Sequence, residues 1–306
     1  MRDRGMGGSD DDGDLCPEGD KLRAEADKRL KSLNLFGAAS KRLMDAAELY
    51  GRAANKYRVA RLWKKAGETH MAAANNYHKA SQDGWIDARK NYEEAAKCFA
   101  KCNPEDALEA YKCAAQLSLE ENSFSMAAHH YKSMGEICED EELDIEQTIE
   151  AYSKAADCFE TADSPKNAIE MTMKVAFFNA KIEQYDRAIE AYKKVVEGST
   201  KGASKSTGEM AAVNCVLCHL AGKDSTTEQA EAAFESYKDA FDSLERSTFG
   251  RLLDGLLQAL RHGDVDEWES AVTQAEKKSP MTPFHKSMIA QAQKAKLESA
   301  AEPQLT

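Results

Sequence analysis

The chain has 306 residues, 31% of them charged, a formal net charge of −12, 17 Gly, only 6 Pro and 8 Cys. No apolar run approaches the ~20 residues of a membrane-spanning helix, and the acidic total excludes a generic nucleic-acid binder, which needs a basic excess. Long windows without Pro, filled by Leu, Ala, Glu, Lys and Met with few β-branched runs, predict an overwhelmingly helical chain.

In chain order, Met1 to Asp14 is rich in Gly and Asp rather than basic and then apolar, so residues 1–19 read as a disordered acidic tail and not a secretory signal. A charged helix is expected from Asp20 to about Ser32, followed by an apolar stretch, residues 33–40, broken by Asn34 and Gly37. Helices are expected from about Lys41 to Val59 and from Arg61 to Ala80, with Asp83-Gly84 closing one as a glycine C-cap. Asn103-Pro104 and Ser164-Pro165 each read as an N-cap with Pro at the first helical position. Asp144 with Gln147, and Thr226 with Gln229, have capping-box spacing. Gly198 to Gly208, rich in Gly, Ser, Thr and Lys, reads as a loop between hairpins. Beyond it, Leu252, Leu253, Leu256, Leu257, Leu260, Trp268 and Val272 predict a more globular helical cap.

Over these elements runs a repeat. Glu-Ala-Tyr begins at Glu109, Glu150 and Glu190, and each is followed two residues later by a small apolar pair, Ala114-Ala115, Ala155-Ala156 and Val195-Val196. The tyrosines at 111, 152 and 192 step by 41 and 40, and Tyr92, Tyr111, Tyr131 and Tyr152 by 19, 20 and 21. A period near 40 with a half-period near 20 means stacked antiparallel helical hairpins, each too small to bury its own apolar face. Cys98 and Cys158 occupy the same slot, Ala-Ala-x-Cys-Phe, so cysteine is expected as a small packing residue and not as a disulfide partner.

Chemistry-bearing motifs are sparse. Cys215-x-x-Cys218-His219 matches the pattern of covalent haem attachment, but it lies in an apolar helical stretch and reads as buried packing. His129-His130 are adjacent on a helix and diverge by about 100°, which disfavours a shared metal. There is no phosphate-binding glycine loop and no nucleophile elbow, and the carboxylates are spread over helix faces with Lys or Arg at i+3 or i+4. Leu33, Leu35 and Phe36, flanked by Lys31, Lys41 and Arg42, admit two readings: a plug under a helical turn, or a finger that dips into a membrane surface.

Several stretches, taken in order, resemble the soluble NSF attachment proteins, and the alpha/beta branch in particular. They are Leu35-Phe36-Gly37 through Ser40-Lys41, Ala53-Ala54-Asn55 with Trp63, Phe124 to Ile137, Asp144-Ile145-Glu146, Glu183-Gln184-Tyr185 with Ala188-Ile189, and Cys218-His219. The resemblance covers about Lys21 to the C-terminus. It implies an all-α fold: a right-handed solenoid of TPR-like (tetratricopeptide-like) hairpins over residues 20–240, closed by a C-terminal helical bundle and tail over 241–306.

It also implies a non-enzymatic adaptor, with no cofactor and no metal, active in vesicle traffic. Such a protein is a monomer in solution, cytoplasmic and peripheral on vesicle, Golgi and ER membranes. Several copies wrap a syntaxin-containing SNARE four-helix bundle and recruit and stimulate the hexameric ATPase NSF. Leu33, Leu35 and Phe36 then correspond to a weak membrane-attachment loop, without the family's tandem phenylalanines. Arg58, Arg61, Lys101 and Lys174 keep a basic residue at positions that meet the acidic SNARE surface. His129, Glu170 and Glu209 fall where the family has lysines, with Lys132 and Arg246 as local substitutes. The NSF-stimulating terminus corresponds to Glu298, Glu302 and the penultimate Leu305, with Pro303 and Gln304 in place of nearby acids; Gln258, Arg261 and His262 replace an acidic cluster. The alternative is a generic TPR-like scaffold that binds a short peptide in one groove. A metal or haem enzyme using Cys215, Cys218 and His219 is the reading from another class.

Overall fold

The computed structural model describes residues 16–31, 39–200 and 205–298. Among them are fourteen α-helices and no strand: α1 Pro17–Lys31, α2 Ala39–Val59, α3 Trp63–Ala80, α4 Trp85–Phe99, α5 Pro104–Glu120, α6 Phe124–Asp140, α7 Ile145–Thr161, α8 Pro165–Lys181, α9 Tyr185–Thr200, α10 Lys205–Ala221, α11 Thr227–Ala240, α12 Thr248–His262, α13 Val265–Lys278 and α14 Pro283–Gln293. A 3₁₀ turn, Gln82–Gly84, precedes α4, and a π turn, Lys294–Glu298, follows α14. The chain forms two compact units, one ending at Leu143 and the other beginning at Asp144.

The half-period near 20 is written in the backbone as well as in the tyrosines. Five non-glycine residues, Arg61, Asn122, Glu142, Asp163 and Glu183, adopt left-handed φ values of 52–61°. Each sits one residue before an amide that bonds back five residues: Leu62 to Tyr57, Ser123 to Ser118, Leu143 to Cys138, Ser164 to Phe159, and Gln184 to Asn179. The left-handed residue itself bonds back three, as Arg61 does to Arg58 O at 3.0 Å. This is the Schellman closure, which satisfies the orphan carbonyls at a helix end and reverses the chain at once. Gly263 makes the same closure after α12 with φ 66°.

In the first unit consecutive helices from α1 to α6 pack on each other, and the core is divided into small clusters. Alanines at 0% exposure line each seam and a tyrosine covers it: Ala46 and Ala73 with Tyr50, Ala53 and Ala66 with Tyr57, Ala88 and Ala114 with Tyr92. Small residues let helix axes approach while the ring fills the remaining gap. The hydroxyls are satisfied at the rim, Tyr57 Oη by Asp20 at 2.6 Å and Tyr92 Oη by Asn75 at 2.7 Å.

The second unit is organised differently. α7, α8, α9 and α10 pair in sequence, but one large core then gathers α9, α10, α11, α12, α13 and α14. Every residue of α10 from Ala211 to Ala221 is buried, polar Asn214 and His219 included, so this stretch is enclosed on all sides. On α12, Leu252, Leu253, Leu256 and Leu257 face that core, and Trp268 of α13 is 1% exposed.

Several local expectations are revised. Gly84 does not end a helix in the left-handed region: its φ is −84°, and it stands before α4 because a Cβ there would lie 2.5 Å from Tyr77 O. The loop expected from Gly198 to Gly208 is shorter, since α9 continues to Thr200 and α10 resumes at Lys205. Gly208 serves close approach, because an added Cβ would meet the Phe241 ring and Ser199 Cβ at 2.6 Å. Thr226 and Gln229 form the reciprocal capping box. Asp144 instead accepts from the Glu146 amide, with no return contact from Gln147. Asn103 caps α5 by accepting from Asp106 N, whereas Ser164 accepts from the Asn167 side chain and makes no cap bond.

Candidate functional site

Because successive helices alternate in direction, α2 and α4 run parallel and end on one edge of the first unit. Three of the basic residues singled out from sequence lie there. Arg58 is in the last turn of α2, Arg61 is the left-handed residue of the following turn, and Lys101 is in the turn after α4; all three are exposed. Arg58 reaches across to α4, with Nη1 3.7 Å from Glu94 Oε2, and donates to Asn55 Oδ1 at 3.0 Å. Lys101 Nζ lies 4.2 Å above the ring of Trp63, which opens α3. Cation–π stacking of this kind holds the ammonium near the turn without neutralising it.

Two cysteines at this end of α4, buried Cys98 and exposed Cys102, lie within reach of the same charged groups. Burial pushes the Cys98 thiol up, Glu94 pushes it further, and Arg58 and Lys101 both pull it down, so both cations act on the same sulfur. At Cys102 burial again raises the thiol, with Asp106 adding to it and Lys64 opposing. Lys64 therefore belongs to this edge although the sequence reading did not single it out. Its only signal was its place beside Trp63. Val59, 82% exposed, adds an apolar side chain next to Arg58. The ends of α2 and α4 also concentrate cations against the negative pole of each helix, where Lys56, Arg58 and Lys97 fall in the last turns.

The other candidates are not part of this edge. Lys132 is half-buried near the middle of α6, roughly two turns from either end. Lys174 belongs to the second unit, half-buried on α8, with Nζ 5.8 Å from the Tyr152 ring centroid. Arg246 is exposed in the turn between α11 and α12, and Glu209 accepts a hydrogen bond from Ser243 of that turn. Arg261 pairs with Glu231 at 2.6 Å and His262 with Glu267 at 2.8 Å. Leu33, Leu35, Phe36, Glu302 and Leu305 lie outside the described residues, and Glu298 is the last described one, closing the π turn.

The haem-like motif resolves into packing. Cys215 and Cys218 are 0% exposed, and Cys215 Sγ accepts from Tyr237 Oη at 3.2 Å. Burial pushes the Cys215 thiol up to about 11, which leaves it protonated and inert. Among the described residues no group of three or more His, Cys, Asp or Glu is placed to hold a metal ion, and no helix is long and apolar enough to cross a membrane.

The family model described as "Soluble NSF attachment protein, SNAP" matches residues 17–296. The chain is 28% identical over 279 residues to the alpha-soluble NSF attachment protein of Mus musculus, covering 89% of this chain and 92% of that one. It is 33% identical over 268 residues to the alpha-soluble NSF attachment protein of Dictyostelium discoideum, covering 86% and 90%. It is 26% identical over 275 residues to the probable vesicular-fusion protein sec17 homolog of Neurospora crassa, covering 88% and 93%. The match starts with α1, ends within the π turn and takes in every hairpin between, so the chain belongs to the soluble NSF attachment protein family, whose members are attachment proteins and not enzymes.

Proposed function

We propose that this protein is an adaptor of SNARE disassembly. It grips the assembled SNARE four-helix bundle, recruits the NSF hexamer and stimulates its ATPase, in service of vesicle fusion. The observation that carries the reading is the exposed basic edge of Arg58, Arg61, Lys64 and Lys101 in a chain of net charge −12, within a family named for NSF attachment. A cationic strip on an otherwise acidic body selects acidic partners locally while the remainder repels non-specific ones. Lys132 and Lys174 are further basic contacts within residues 20–240, one in each unit, and residues 241–306 present Glu298, Glu302 and Leu305 to the ATPase.

Leu33, Leu35 and Phe36 act as a weak peripheral anchor on vesicle, Golgi or ER membranes. Three apolar side chains at about 1.5–3 kcal/mol each when fully buried suffice for reversible attachment only. Several copies on one bundle make the attachment multivalent, which compensates for the weakness of each. The test is retention of assembled SNARE bundles on beads at low salt by the full chain and by an Arg58→Ala/Arg61→Ala/Lys101→Ala variant. Strong retention by the first and loss in the second is expected; absence of retention by the full chain overturns the reading. Flotation with liposomes, comparing the full chain with Leu35→Ser/Phe36→Ser, tests the anchor.

A further inference from the structure

The histidine of the Cys215-x-x-Cys218-His219 motif is not explained by the packing that accounts for its thiols. His219 lies near the end of α10 and is 8% exposed, yet its buried Nδ1 has no hydrogen-bond partner. An orphaned buried N–H costs more than an unused lone pair, so the ring hydrogen belongs on Nε2. Burial lowers the pKa of this imidazole, with Lys193 and Lys296 assisting and Asp186 opposing. At neutral pH His219 is therefore an uncharged donor.

The ring lines a groove of about 560 Å³ in the second unit. Both α9 and α11 pack on α10, and the groove runs between them. Lys193 of α9 pairs with no carboxylate among the described residues, whereas its neighbour Lys194 pairs with Glu190. The Lys193 charge acts on both His219 and Cys215, so its ammonium leans over α10. Gln229, in the first turn of α11, spends its Oε1 on the Thr226 amide, which leaves its Nε2 hydrogens unused. Farther along, Val196, Ala232 and Ala233 make the lining apolar, and Tyr237 Oη is already committed to Cys215 Sγ.

Donors from Lys193, His219 and Gln229, the first of them charged, suit one anionic group. Glu197, one turn beyond Lys193, repels a second negative charge, which disfavours polyphosphates and dicarboxylates. From Lys193 to Thr200, α9 advances about 10 Å, the length scale of a short extended acyl chain. We propose that this groove binds a single-chain fatty carboxylate, its head held by Lys193 Nζ, His219 Nε2 and Gln229 Nε2 and its chain laid along Val196, Ala232 and Ala233. The site belongs to the second unit alone and is independent of the adaptor reading.

The experiment titrates octanoate into the full chain carrying isotope-labelled alanine methyls. Saturable shifts of the Ala232 and Ala233 signals are expected. Octanol, which has the chain without the charge, is expected to bind at least about tenfold more weakly. Lys193→Gln is expected to weaken octanoate binding by about the same factor, and Lys194→Gln, an equal loss of charge outside the groove, to leave it unchanged. Gln229→Glu keeps the capping oxygen but sets a carboxylate at the head site, and is expected to abolish binding. His219→Phe is expected to weaken binding several-fold; should that core variant misfold, the exposed Lys193 and Gln229 variants decide. Glu197→Gln is expected to admit suberate, the dicarboxylate of the same length, which the unaltered chain rejects. No saturable shift at these methyls, octanol binding as tightly as octanoate, or equal losses in Lys193→Gln and Lys194→Gln overturns the inference.

Discussion

At Arg61 the backbone turns left-handed, with φ 61°, and the same side chain adds charge to the turn edge of the first unit. A non-glycine residue pays about 1–2 kcal/mol for that conformation, so Arg61→Gly is expected to raise stability by about 1 kcal/mol while weakening bundle retention. Urea midpoints and bead retention, measured on one preparation, check both halves. A variant that gains stability and binds as before would remove Arg61 from the grip. His130 illustrates the opposite case, a group whose charge the fold refuses. It is 5% exposed against Tyr111, and burial lowers its pKa from 6.5 to about 4, with Glu93 opposing and Arg89, His129 and Lys97 assisting. The folded state holds it neutral while the unfolded chain takes the proton, so stability is fully present above 6.5 and declines as pH falls toward 4. The decline attributable to this residue is about 3 kcal/mol. Subtracting the stability-versus-pH curve of His130→Phe from that of the unaltered protein should isolate it; parallel curves through that window contradict it.

Within the helices, glycine reports packing more than flexibility. Gly208 in α10 faces Phe241 and Ser199 at 2.6 Å, whereas an added Cβ at Gly51 in α2 meets only Asn91 Oδ1 at 3.6 Å. Gly208→Ala is therefore expected to cost about 1–3 kcal/mol through overpacking, and Gly51→Ala to gain about 0.5–1 kcal/mol through helix propensity. Equal denaturation midpoints for the two variants would refute the distinction. The same contrast explains what could be read beforehand. Stacked hairpins were legible because the tyrosines, the alanine pairs and the cysteines at 98 and 158 recur with the packing they serve. The turns were less so: a Schellman closure depends on backbone φ, and Arg61, Glu142 and Glu183 carry no compositional mark of it. The continuation of α9 and α10 into the stretch around 198–208 was hidden for the converse reason, since Gly and Ser there fit between helices instead of breaking them. At the candidate site, Arg58, Arg61 and Lys101 were legible through family resemblance, but their convergence with Lys64 and Val59 was not, because 37 residues separate Lys64 from Lys101 in sequence.

For the molecule as a whole, the proposed adaptor role asks how a chain of net charge −12 would hold an acidic bundle. Screening gives the answer its scale: at ordinary salt a charge is felt over about 8–10 Å, so affinity depends on the local arrangement of cations and not on the total. Glu170 is a sensitive place to test this. It stands on α8 one helical turn before Lys174, so if Lys174 meets the bundle its charge offsets that lysine's field there. Glu170→Lys changes the net charge only from −12 to −10, too little to matter if the total governs binding. If the local field governs, it is expected to tighten bundle retention several-fold at low salt, with Glu170→Gln giving a smaller gain. Near 1 M salt, where the screening length shrinks to about 3 Å, the three proteins should converge. Improvement that persists at high salt would point to a new direct contact, and none at low salt would mean that Lys174 does not face the bundle.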